Sequence, residues 1–157
     1  MDKICFPPLL PAGFHDLDDT ELEALCVNSF PASARRSRLH CNFIQLVALL
    51  REINLQFKCF GEIWVDGSYT TQKPEPYDID ILLVIDYAAL MKIPEEQLKT
   101  VSPLLNRSFV KANYDIDVLL LPENHPDVDY SERRSYWRGW FGFDRRENPK
   151  GLVRFAL

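Results

Sequence analysis

Phe60-Gly61-Glu62-Ile63-Trp64-Val65 runs into Asp66-Gly67-Ser68, and after nine intervening residues the chain reads Asp78-Ile79-Asp80-Ile81-Leu82-Leu83-Val84-Ile85. The first stretch reads as a strand over 60–65 that stops at a turn. The second is a β-branched and leucine run with charges only at its two ends, the pattern of a central strand buried on both faces. A third run of this kind, Tyr114-Asp115-Ile116-Asp117-Val118-Leu119-Leu120-Leu121, is closed by Pro122. Residues i and i+2 of a strand face one side, so Asp78 pairs with Asp80 and Asp115 with Asp117. Two unit charges about 4 Å apart repel by roughly 4 kcal/mol at an effective dielectric of about 20. A divalent cation relieves that repulsion. Aspartate oxygens are the hard ligands magnesium takes, one or two at a time together with phosphate oxygens. Gly67 lets the backbone approach a ligand, and the Ser68 amide and hydroxyl are donors suited to phosphate oxygens.

Outward from these strands, helices are expected. Thr20 followed by Glu23 reads as a capping box for a helix to about Asn28. Pro31-Ala32-Ser33 opens a longer helix, to about Glu52, whose apolar stripe is Leu39, Phe43, Leu46, Leu50 and Ile53. Residues 87–111 read as mostly helical, broken by Pro94 and Pro103, and 131–139 as a short helix rich in arginine and aromatics. Residues 1–17 read as an extended arm without regular structure, and 151–157 as an edge strand. The expected architecture is α+β (α/β): one domain over 1–157, a small mixed β-sheet with helices packed mainly on one face.

The net charge is −5, which excludes a general positive coat for nucleic acid. Charge is nevertheless local. From Ser131 to Leu157 there are seven basic residues (Arg133, Arg134, Arg138, Arg145, Arg146, Lys150, Arg154) against three acidic ones. Tyr136, Trp137, Trp140 and Phe141 interleave with the arginines. Such a tail either stacks a base and neutralises phosphates or packs its aromatics on the sheet. The four cysteines fit no zinc or redox spacing and are expected to be free and buried. No stretch is apolar enough for a signal peptide or membrane helix, so a cytoplasmic, non-membrane protein is expected.

The spacing of Gly67-Ser68 and Asp78-Ile79-Asp80 between apolar flanks resembles the signature of the polymerase-beta-type nucleotidyltransferase superfamily. Leu10-Pro11-Ala12-Gly13, Gly67-Ser68-Tyr69-Thr70-Thr71 and Pro149-Lys150-Gly151 resemble, more weakly, a small stand-alone bacterial branch similar to nucleotidyltransferases of toxin–antitoxin and phage-defence loci. The resemblance implies a nucleotidyltransferase fold. It also implies an enzyme moving a nucleoside monophosphate from a nucleoside triphosphate, ATP among them, to a hydroxyl of RNA, protein or a small molecule. Asp78, Asp80 and Asp117 would be the catalytic, metal-holding carboxylates, with Asp115 as the alternative third. Gly67, Ser68, Lys73, Arg145 and Lys150 would bind the nucleotide. Magnesium, in one- or two-ion form and replaceable by manganese, would be the cofactor. A protein from the same locus is the implied partner, and a non-catalytic partner or regulatory module is the alternative function.

Overall fold

The computed structural model describes residues 3–157. Its longest element is the helix α2, Ala34–Phe57, for which Ser33 is the cap: the Ser33 hydroxyl accepts from the Arg36 amide at 3.1 Å. Leu39, Phe43, Leu46 and Leu50 are buried on its inner face, and Ile53 packs beside them half-buried. The helix outlasts the expected end at Glu52 by five residues and stops where Lys58 turns left-handed. No proline or glycine intervenes before that point, so nothing breaks it. The preceding helix α1, Asp19–Glu23, continues as a wider π-turn to Asn28. Its capping box is Asp18 with Glu21, two residues earlier than Thr20 with Glu23. Aspartate is the better cap acceptor, and it stands directly before the first turn.

Five strands form one mixed sheet in the order β1-β5-β2-β3-β4. They are β1 (Gly13–Asp16), β2 (Phe60–Asp66), β3 (Ile79–Asp86), β4 (Ile116–Glu123) and β5 (Gly151–Ala156). β2 is antiparallel to both its neighbours, whereas β3 with β4 and β1 with β5 run parallel. Two sequence expectations are corrected here. The N-terminal arm contributes a strand, β1, and β5 therefore lies inside the sheet and is not its edge. Gly151, Leu152, Val153 and Phe155 are buried, as an interior strand requires. β4 is an edge, which is why it tolerates Pro122 within its span.

Alternation sorts the sheet residues onto two faces. Ile63, Val65, Ile81, Leu83, Ile85, Val118, Val153 and Phe155 join α1 and α2 in the main core. Trp64, Leu82, Val84, Leu121 and Leu152 face the other way, onto Trp137 and Phe141 of α6, Tyr130–Phe141. Helices thus lie mainly on one face, with α6 alone on the second. Between β3 and β4 the chain makes α3 (Tyr87–Leu90), α4 (Glu95–Val101), a 3-10 turn through Leu105, and α5 (Arg107–Tyr114). No helix among the described residues is long and apolar enough to cross a membrane. All four cysteines are free. Cys26 and Cys59 are buried as expected, but Cys41 is exposed and Cys5 half-buried. Burial raises the Cys26 and Cys59 thiols to about 12 and about 11, so both are inert at neutral pH.

Candidate functional site

Asp66, at the end of β2, is the register partner of Asp80 near the start of β3, and Asp80 is the register partner of Asp117 in β4. Three adjacent strands therefore set three aspartates in one row. Neighbouring Cβ atoms in such a row are about 5 Å apart. By alternation the row lies on the face of Trp64, Leu82 and Leu119. Asp78 sits just ahead of β3 and adds its charge to that of Asp80. The two alternatives for a third carboxylate stand in different places. Asp117 stands beside Asp80, whereas Asp115 is not in the strand at all. It caps α5 in the left-handed conformation, φ 55°, and meets Arg38 at 3.5 Å. The expected same-face pair Asp115/Asp117 fails because the helix runs to Tyr114 and the strand begins only at Ile116.

Burial and the neighbouring carboxylates Asp78, Asp117 and Asp66 push the Asp80 carboxyl up to about 6. Of the row, Asp80 alone has no ion pair among the described residues. Asp117 takes two bonds from the Arg107 guanidinium, 2.5 and 2.8 Å, which hold its carboxyl below the usual range. Asp78 takes the ammonium of Lys111. Asp66 is almost wholly buried and meets Lys150, equally buried, at 2.8 Å. The Lys150 ammonium donates to the Gly67 carbonyl at 3.0 Å. Its contact with Asp66 Oδ1 is a buried ion pair, whose charge and hydrogen bonding oppose the effect of burial on Asp66. Burial outweighs the lysine and raises Asp66 to about 6.

Gly67 adopts φ +75° in a 3-10 turn, Gly67–Thr70. A Cβ there would stand 1.8 Å from Asp80 Oδ2, so only glycine permits the turn to close over the carboxylate. What holds the turn is Arg36. Its buried guanidinium donates to the carbonyls of Cys26 (2.9 Å), Tyr69 (2.7 Å), Thr71 (2.8 Å) and Lys73 (2.6 and 3.2 Å). The N-terminal arm closes the turn from outside: Leu9 N donates to Thr70 O, and Gln72 N to Pro7 O.

The sequence-derived residues thus divide. Gly67, Ser68, Asp78, Asp80 and Asp117 come together. Lys150 reaches the site as a buried strut under the turn, with no free charge for a ligand. Lys73 offers its carbonyl to Arg36, and its ammonium lies 5.0 Å from the Tyr77 ring centroid. Arg145 is exposed on the turn organised by Asp144, and no ion pair among the described residues joins it to the carboxylates. The basic tail is not one surface, since Lys150 and Arg154 are taken up by Asp66 and Asp16. Of its aromatics, Trp137 and Phe141 pack on the sheet while Tyr136 and Trp140 stay exposed. Sequence reading missed Asp66, Arg36, Arg107 and Lys111. Asp66 carried a legible signal, being two residues beyond Trp64 and directly before the glycine.

Among the described residues no three His, Cys, Asp or Glu side chains are arranged to hold a metal ion. Asp117 and Asp78 are paired instead with Arg107 and Lys111. The donor set nevertheless fits a hard divalent cation, with carboxylate oxygens only and an Asp80 that has no ion pair among the described residues.

The fold and site define a small α+β protein with a mixed five-stranded sheet that gathers four aspartates under a glycine turn. The chain belongs to a family of unknown function (DUF6932), which it matches over residues 5–156. Comparison with curated proteins and with solved structures gives no match.

Proposed function

We propose that the protein is a magnesium-dependent nucleotidyltransferase, transferring a nucleoside monophosphate from a nucleoside triphosphate to a hydroxyl of RNA, protein or a small molecule. The observation that carries this reading is the row Asp66–Asp80–Asp117 beneath a glycine turn that only glycine can make. Asp78, Asp80 and Asp117 would hold the cation, with manganese as a substitute. The cation would supply charge neutralisation and orientation of the phosphates. Gly67 and Ser68 present backbone and hydroxyl donors to the triphosphate. Asp117 orients the acceptor hydroxyl and takes its proton. The hydroxyl oxygen then bonds to the α-phosphorus, the α–β anhydride bond breaks, and pyrophosphate leaves with the electron pair. Catalysis of this kind is positioning and charge stabilisation, which a rigid sheet end provides.

A second reading, a non-catalytic partner within a toxin–antitoxin or phage-defence pair, is favoured by one observation. Arg107 and Lys111 already neutralise two of the carboxylates without a metal. One experiment separates the two. The protein is incubated with each labelled nucleoside triphosphate, magnesium and either RNA or cell lysate, beside Asp78→Ala/Asp80→Ala. Label transfer that the variant abolishes supports the enzyme. No transfer to any acceptor, with no magnesium-dependent nucleotide binding in calorimetry, defeats it.

A further inference from the structure

Arg107 and Lys111 stand four residues apart on α5, on one face of the helix, and that face meets the carboxylate row. Arg107 forks onto Asp117 and Lys111 binds Asp78. Both cations are substantially exposed, 63% and 45%, so neither is fixed by packing. The buried cations nearby are different: Arg36 and Lys150 are committed to backbone carbonyls and Asp66. Asp78 and Asp117, if they held a divalent cation, would offer it the same oxygens that bind Lys111 and Arg107. The two side chains would then be free at the rim of the site, on long flexible stems.

We propose that Arg107 and Lys111 are a polyphosphate clamp, held in reserve by Asp117 and Asp78 and handed to the triphosphate tail of the nucleotide when the metal binds. The inference rests on the nucleotidyltransferase reading and names the residues that recognise its substrate. A planar guanidinium and an ammonium spaced by one helical turn match the non-bridging oxygens of adjacent phosphates. The exchange conserves charge: the carboxylates trade two monovalent side chains for one divalent ion, and the freed cations meet the tail.

The test is calorimetry on the full chain and on Arg107→Gln/Lys111→Gln, with manganese alone and with magnesium tripolyphosphate. The variant lacks the competing cations, so manganese alone is expected to bind about threefold tighter, while magnesium tripolyphosphate binds about tenfold weaker. These opposite signs separate a clamp from a merely structural ion pair, whose loss moves neither ligand in opposite directions. Arg107→Lys/Lys111→Arg is expected to restore part of the tripolyphosphate affinity. If tripolyphosphate binds the Gln variant as it binds the full-length native chain, the clamp is wrong while the enzyme reading stands. If the native chain binds neither manganese nor tripolyphosphate, both fall. If the Gln variant loses affinity only for a short single-stranded RNA, the pair serves an acceptor backbone and the clamp is overturned.

Discussion

The two walls of the site are built differently. On the β2 side the glycine turn is held by Arg36 and Lys150, both buried, whose charges are satisfied by fixed carbonyls and by Asp66. On the α5 side Arg107 and Lys111 hold Asp117 and Asp78 by exposed ion pairs. A buried cation with several backbone partners cannot leave without stranding them. An exposed ion pair is worth about 0–1 kcal/mol and exchanges readily. One wall is therefore architecture and the other is replaceable, a division suited to a site that keeps its cradle rigid while its charges rearrange.

The comparison breaks most severely at Arg36. Arg36→Met leaves the carbonyls of Tyr69, Thr71 and Lys73 without their donor and is expected to cost about 4 kcal/mol, read from the urea midpoint. Gly67→Ala should cost about 3 kcal/mol, from positive φ and from displacing Asp80. If it is neutral, the turn does not close over the carboxylate as described. Asp80→Asn is expected to act in the opposite direction and to stabilise the metal-free protein by about 1–2 kcal/mol at pH 7. The folded Asp80 titrates at about 6, above its unfolded value of 3.8. Its fold therefore favours the protonated acid, and that advantage is lost as pH rises through about 6. The difference between variant and native chain should accordingly be near zero below pH 4, grow between pH 4 and 6, and level off above 7. Thermal melts over that range check it, and saturating magnesium should shrink the gap. Arg107→Gln and Lys111→Gln, tested singly, should each move stability by about 0.5 kcal/mol or less. A larger loss would mean that the α5 wall is structural too.

Much of this was legible before any coordinates. The strands β3 and β4 announce themselves because aliphatic runs bounded by charge have few other uses, and α2 because its stripe repeats over several turns. The glycine turn and Asp80 were readable from spacing. The row itself was not, since register across β2, β3 and β4 is decided by pairing partners far apart in sequence. Asp66 and Asp115 exchange places for that reason. Alternation along β2 places Asp66 in the row, and the helix that runs three residues past 111, to Tyr114, leaves Asp115 as its cap outside the row. Arg36 was hidden inside a helix, three residues ahead of the first position of its apolar stripe, Leu39. A buried arginine leaves no periodic trace, and its partners are carbonyls that any sequence possesses. β1 was missed because four residues behind three prolines carry too little pattern, and with it went the interior place of β5.

Lys150 lies 83 residues beyond the Gly67 carbonyl it supports. The next residue, Gly151, bonds back to Leu10 of the arm that braces the same turn. As the chain is synthesised, the row of acids is complete once β4 has emerged, but the strut beneath the turn is still to come. Until then Asp66 has no cation and the turn lacks one of its supports. The cradle is finished only when β5 inserts between β1 and β2, so a half-made chain carries the acids of the site without its geometry. Limited proteolysis of a chain stopped before Lys150 should cut within 67–73, where the finished protein resists. The last strand thus acts as a quality seal on a site whose acids are all made earlier.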